Sequence, residues 1–162
     1  MPLNPSPKNP TNAKLNAQGE IPFWRKKRLQ DMTPAEWESL CDGCGRCCLE
    51  KLEDMHSGEI SYTNVACSLL DLETCRCAHY AERQRYMPDC VALTSANVGE
   101  LHWMPYSCAY RRLAEGRDLA DWHPLVSGDP DSIFKAGIAV RGRCISASEA
   151  GDLEDHIVDL PD

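Results

Sequence analysis

The sequence predicts a small, loop-rich α+β domain in which short helices and one β-hairpin are organised around a cysteine cluster. Three observations predict it. Thr33-Pro34-Ala35-Glu36 carries a capping hydroxyl, a proline at the first helical position and a glutamate three residues on, the signature of a helix start. Residues 49–53 and 60–65 flank a polar turn containing Ser57-Gly58, as in a hairpin. Nine of the ten cysteines fall between Cys41 and Cys108, while fewer than one residue in five is Leu, Ile, Val or Phe. That is too thin an aliphatic supply for apolar burial alone to hold an acidic chain of 162 residues together.

In chain order, residues 1–21 carry Pro2, Pro5, Pro7 and Pro10 among polar neighbours and read as a disordered tail. At Thr33 the hydroxyl and the Glu36 carboxylate can each satisfy an orphan backbone N–H. The helix is expected to run through Trp37 and Leu40 and break near Gly43. Trp37, Cys41 and Cys44 would then share one face at i, i+4 and i+7. After the hairpin, residues 78–86 suit a helix stopped by Pro88. Thr94 caps another up to Leu101, and Ser107 a third through Arg112 and Ala114, with Gly116 as its stop. Ile138-Ala139-Val140 is expected to add a strand. Residues 149–162, with six acidic and no basic side chains, form a tail or a short helix around residues 152–158. The domain proper is residues 22–148, and no solenoid-length repeat is present.

No apolar run approaches the ~18 residues of a membrane span, and the N-terminus lacks the apolar stretch of a secretory signal. The expected compartment is therefore the reducing cytoplasm. Cysteine patterns there point to metal or catalysis, although ten cysteines leave five disulfides arithmetically open. The net charge is −8, and the only basic run is Arg25, Lys26, Lys27 and Arg28 beside Trp24. It reads as a solvated helix face, which argues against a nucleic-acid groove.

The run Cys41-Asp42-Gly43-Cys44-Gly45-Arg46-Cys47-Cys48 holds two overlapping C-x2-C units that share Cys44. Such a turn brings two sulfurs to one ion while ordering few residues, and the glycines permit the tight backbone. Adjacent side chains point apart, so Cys47 and Cys48 are expected to serve different sites or bridge two ions, unless one is an unligated thiol. Cys67, Cys75, Cys77, Cys90 and Cys108 bring the supply to two four-thiolate sites. Cys77, directly ahead of the expected helix 78–86, would gain thiolate character from a helix N-terminus. Arg46, Arg76, Arg83 and Arg85 lie among these cysteines and are either counter-charges for thiolates or solvated surface arginines.

Glu36-Trp37-Glu38-Ser39-Leu40-Cys41, Thr63-Asn64-Val65-Ala66-Cys67, Leu72-Glu73-Thr74-Cys75-Arg76-Cys77, Cys108-Ala109-Tyr110-Arg111 and Trp122-His123-Pro124-Leu125 carry a resemblance. The chain resembles the YcgN-type family of bacterial cysteine-cluster proteins over residues 22–148, within a wider CxxCxxCC group associated with zinc or iron chelation. The resemblance implies metal ligation by Cys41, Cys44, Cys47, Cys48, Cys67, Cys77, Cys90 and Cys108. Cys75 lies outside the wider pattern and is a weaker ligand candidate; Cys144 lies outside both. The implied ion is iron, including an iron–sulfur cluster, or zinc, since both accept four thiolates. The resemblance supplies no reaction.

Three readings stand: a metal chelator with a redox, sensing or metal-handling role, a zinc-stabilised protein-interaction module, and an iron-dependent enzyme. No H-E-x-x-H pair, G-x-S-x-G elbow or P-loop is present. His123 is a packed loop histidine in preference to a ligand or acid–base group. Trp103, Trp122, Tyr106 and Tyr110 are expected in the core.

Overall fold

The computed structural model describes residues 15, 16 and 18–160, so most of the expected N-terminal tail lies outside the described residues. In chain order the elements are α1 (Phe23–Lys26), α2 (Pro34–Ser39), β1 (Leu49–Glu53), β2 (Ile60–Ala66), β3 (Leu70–Asp71), β4 (Arg76–Cys77), α3 (Arg83–Tyr86), α4 (Ala109–Ala114), α5 (Pro124–Ser127), α6 (Ser132–Lys135) and β5 (Ile145–Ser146). Single 3₁₀ turns fall between several of them. The mixture is α+β, short in every element and rich in loops. The chain divides into two compact units. One holds the described residues up to Asp42 together with Leu93–Ser132; the other holds Gly43–Ala92 and the described residues from Ile133 onward.

The first unit is helical and has an apolar core of Leu29, Leu40, Val98, Ala109, Tyr110 and Leu119, with Phe23, Trp24, Met32 and Trp37 packed against it. Helix α2 starts as its sequence dictates: Glu36 N–H donates to Thr33 Oγ1 at 3.2 Å, and Pro34 opens the first turn. The glutamate does not complete the capping box, because its Oε1 accepts from Lys27 Nζ at 2.7 Å instead. The helix also ends early, at Ser39, so Cys41 and Cys44 are not on its face. Lys26 is exposed on α1, and the other three members of the basic run form ion pairs. Arg25 pairs with Asp118 at 2.8 Å, Lys27 with Glu36, and Arg28 with Asp31.

Residues 94–101 form only one 3₁₀ turn, Val98–Glu100, where Thr94 and Asn97 exchange side chain–backbone hydrogen bonds. Helix α4 takes Cys108 rather than Ser107 as its N-cap, and Gly116, at φ +77°, stops it. Tyr110 is buried and donates its hydroxyl to the Trp37 carbonyl at 2.7 Å. Tyr106 leaves the core, being 48% exposed with the Arg117 guanidinium 3.8 Å from its ring centre.

In the second unit, β1 and β2 form the expected antiparallel hairpin, with Lys51 opposite Tyr62 and an irregularity between Leu49 and Lys51. The third strand is not residues 138–140 but β5, which joins β2 in parallel with Val65 opposite Ile145. Residues 138–140 are buried, and their polar groups are satisfied outside any ladder. Ile138 O accepts from Arg46 Nε at 2.8 Å, and Val140 N–H donates to Cys44 O at 2.9 Å. β3 and β4 form a second small hairpin, with Leu70 opposite Cys77. The expected helix 78–86 shrinks to a 3₁₀ turn, Tyr80–Glu82, followed by α3. Cys77 therefore ends a strand and has no helix N-terminus to favour its thiolate. The acidic end folds back as a 3₁₀ turn, Leu153–His156, and Val158 N–H reaches Tyr62 O at 2.9 Å.

His123 shows how the first unit is tied. It is 1% exposed. Leu125 N–H donates to its Nδ1 at 3.0 Å, so Nε2 carries the proton and donates to Leu40 O at 2.8 Å. Both nitrogens are used, which is the packed role. Burial pushes the His123 imidazolium below its ordinary pKa of 6.5, against smaller opposing effects of the Leu40 carbonyl and Asp42. The folded chain thus binds this proton less readily than the unfolded chain. The stability of neutral His123 is full above pH 6.5 and is lost as the pH falls below that value toward the lowered folded pKa. All four tryptophans lie in this unit, so their fluorescence reports on it. The urea midpoint by fluorescence is expected to fall with acidification below pH 6.5. His123→Asn should flatten that slope and cost about 1–3 kcal/mol at neutral pH. A wild-type midpoint independent of pH in that window would refute the assignment.

Candidate metal centre

The ten cysteines are all free thiols. Their placement follows from the hairpin. Gly45, at φ +77°, turns the chain into a 3₁₀ turn, Arg46–Cys48, which runs straight into β1. Where β1 and β2 meet, Cys67 N–H donates to Cys48 O at 2.8 Å, so these two cysteines are backbone neighbours. Leu70 N–H then donates to Cys67 O at 2.9 Å, and Leu70 pairs with Cys77. One short path of hydrogen bonds thus links Cys48, Cys67 and Cys77.

Electrostatics shows the same gathering. The Cys48 thiol is pushed far above its ordinary range, first by its hydrogen bond with Cys47 and by burial, then by the charges of Cys47, Cys67 and Cys77. Cys47 and Cys48 thus come within hydrogen-bonding reach. The two cysteines sit in a 3₁₀ turn, which sets successive residues about 120° apart, and they differ in exposure, Cys47 being exposed and Cys48 half-buried. The Cys90 thiol is raised by burial, is opposed by the charge and hydrogen bond of Arg83, and also feels Cys47 and Cys67. Cys44 is buried, and its Sγ accepts from Arg46 N–H at 3.4 Å.

Four cysteines remain. Cys41 and Cys108 belong to the first unit. Cys75 is buried at φ +58°, its thiol raised by burial and lowered by backbone hydrogen bonds from Arg141 and Val140. Cys144 is raised by burial and then by Cys75.

Of the four arginines singled out, Arg46 is buried and holds Ile138 O. The Arg76 guanidinium covers Gly43, 2.9 Å from where a Cβ would stand. Arg83 reaches the Cys90 thiol and donates to Tyr80 O at 2.7 Å. A cation that sequence reasoning missed is Lys51. Its Nζ donates to Cys47 O at 3.1 Å and to Leu49 O; burial pulls its pKa below the ordinary lysine value, against the charges of Cys47, Cys48, Glu50 and Cys44.

The donor set fits a thiophilic ion: gathered thiols, partly out of water, with amide N–H groups and cations around them. Among the described residues no three His, Cys, Asp or Glu side chains are already arranged to hold an ion, so binding would draw the thiols inward.

Residues 40–109 match the CxxCxxCC family, described as a "putative zinc- or iron-chelating domain". The chain is 60% identical to a UPF0260 protein of Gluconacetobacter diazotrophicus, over 86% of this chain and 88% of the relative. It is also 60% identical to a UPF0260 protein of Rhizorhabdus wittichii, over 87% of this chain and 97% of the relative. The chain belongs to the UPF0260 family. A further UPF0260 protein, of Rhizobium etli, is 56% identical over 88% of this chain. No solved structure matches the chain. The CxxCxxCC span within this UPF0260 chain includes Cys41 through Cys108 and leaves Cys144 outside.

Gly45 is where backbone geometry constrains the UPF0260 cluster most tightly. A Cβ there would stand 2.8 Å from Val140 Cγ2 and 3.4 Å from Cys75 Cβ, at a φ that L-residues rarely adopt. Gly45→Ala is expected to cost at least about 1–2 kcal/mol, the left-handed penalty alone. Gly128→Ala has the same sign of φ but no atom within 4 Å of its Cβ, so it should cost less. Comparing denaturation midpoints of the two variants checks this; equal losses would show that the space around Gly45 is not limiting.

Proposed function

We propose that this protein chelates a thiophilic transition metal, iron or zinc, through cysteine thiolates of its second unit. The observation that carries the reading is the backbone path that brings Cys48, Cys67 and Cys77 together at the end of the β1–β2 hairpin, with Cys47 next to Cys48. Thiolates brought this close repel one another, and a bound cation removes that repulsion. The family description supports metal binding in the same terms. For Cys41 and Cys108 the proposal rests on the family pattern alone. Cys75 is kept outside the ligand set, since its thiol is held by the amides of residues 140 and 141.

Zinc in such a site would supply folding energy; iron would add one-electron chemistry. The chain's own residues hold and neutralise the sulfurs: Arg83 at Cys90, the Arg46 amide at Cys44 and Lys51 at the vicinal pair. A redox, sensing or metal-handling role follows if the ion is iron, and a structural role if it is zinc.

Anaerobic purification with elemental analysis and a visible spectrum tests the proposal. Iron with thiolate-to-iron charge-transfer bands, or zinc without visible absorption, is the expected result. Freshly purified, reduced protein that is free of both metals and takes up neither would overturn it. Ligand thiolates must be deprotonated, so acid or a strong chelator is expected to release the ion. The same treatment should reduce the β signal in circular dichroism. Cys48→Ser and Cys67→Ser should each lower the bound metal, whereas Cys144→Ser should leave it unchanged.

A further inference from the structure

Lys51 has an unusual place for a lysine in a hairpin. It sits on β1 directly opposite Tyr62 of β2, and its ammonium lies over the Tyr62 ring, 5.2 Å from the centroid. The side chain is half-buried. It turns back along its own strand, and Nζ donates to Cys47 O at 3.1 Å and to Leu49 O at 2.5 Å. Those two carbonyls flank Cys48, so the ammonium is pinned across the backbone of the vicinal cysteine pair. The hairpin register fixes the lysine, the aromatic ring supports it from below, and the two carbonyls set its position.

We infer that Lys51 is a built-in counter-cation of the metal site, one that positions the Cys47–Cys48 turn and offsets the negative charge of thiolates gathered there. The inference rests on the metal reading above and adds a residue outside the cysteine pattern. Nζ stands on the carbonyls on either side of Cys48, against the backbone of the vicinal pair. Four thiolates around a divalent ion leave about two excess negative charges, and a fixed cation in a partly desolvated spot lowers the cost of that excess. Arg83 serves the Cys90 thiol, so Lys51 is the cation that the geometry assigns to the vicinal pair.

Cobalt(II) alone, added anaerobically to the reduced full-length chain, is the probe. Thiolate-to-cobalt charge transfer reports binding, and competition with a chromophoric chelator gives the affinity. Lys51→Gln keeps an amide donor for the carbonyls and removes the charge; Lys51→Arg keeps the charge. Lys51→Gln is expected to weaken cobalt binding by roughly 10–100-fold, the usual cost of losing a group that supports the ligands. The charge-transfer intensity at saturation should stay the same, because the thiolate number is unchanged. Lys51→Arg should recover most of the affinity, and Lys26→Met, an exposed change in α1, should have no effect. Lys51→Gln with wild-type affinity, or Lys51→Arg as weak as Lys51→Gln, would overturn the inference while leaving the metal reading intact. No cobalt binding by the wild type would overturn both. If Lys51→Gln proves unstable, Tyr62→Leu removes the ring beneath the ammonium and is expected to weaken cobalt binding in the same direction by a smaller factor. Unchanged affinity in a folded Tyr62→Leu variant would count against the ring's role in holding the cation.

Discussion

The hydrogen bond from Cys67 N–H to Cys48 O, 2.8 Å long, closes the base of the β1–β2 hairpin and sets two cysteines side by side. The rest of the thiol group is arranged around it. The 3₁₀ turn before β1 swings Cys47 toward Cys48, and the step from Cys67 to Leu70 delivers Cys77 through the β3–β4 pairing. Lys51, two residues into the same strand register, arrives at the pair from the other direction. A backbone ladder is well suited to this task. It positions thiols through main-chain bonds that do not themselves use the sulfurs, which stay available to an ion.

The two units are stabilised by different means. The first has a recognisable apolar core, aromatic packing of Trp37 on Tyr110 at 4.6 Å, and a buried histidine that joins Leu40 to the start of α5. The second buries Leu49, Val65, Leu70, Ile133, Ile138 and Val140, and it also buries the guanidinium of Arg46. Burying an arginine is costly unless its donors are used, and Arg46 spends its Nε on Ile138 O. A small unit of this kind gains from any ion bound by its thiols, since for small thiolate sites metal-binding energy is also folding energy.

Much of this was legible in the sequence wherever a local rule decides the outcome. The Thr33 cap with Pro34, the hairpin at residues 49–66 and the stop at Gly116 each depend on a few neighbouring residues, and each forms. Where the outcome depends on distant partners, the sequence misled. Ile138-Ala139-Val140 alternates like a strand, yet Arg46 and Cys44 capture its polar groups, and the ladder position goes to Ile145 and Ser146. Helix α2 stops before the cysteines, so the i, i+4, i+7 face that would have linked Trp37 to Cys41 and Cys44 does not exist. Lys51 carries no motif at all. Its role comes from a cross-strand partner eleven positions away and from carbonyls that every residue possesses. A sequence pattern names the ligands of a site more readily than the groups that support them.

Charge balance explains why these supports are needed. The chain already carries a net charge of −8, and each ionised thiol adds to it. Gathering thiolates in such a protein is unfavourable unless cations are placed locally, because in partly desolvated surroundings charge is not screened as it is in water. The cations in the second unit are distributed accordingly. Arg76 lies over the Gly43 turn, Arg83 binds the Cys90 thiol, and Lys51 spans the vicinal pair. In the first unit Arg25, Lys27 and Arg28 are paired with Asp118, Glu36 and Asp31. A few positive side chains, each fixed by backbone carbonyls or by close packing, thus allow an acidic chain to concentrate its thiols at one hairpin end.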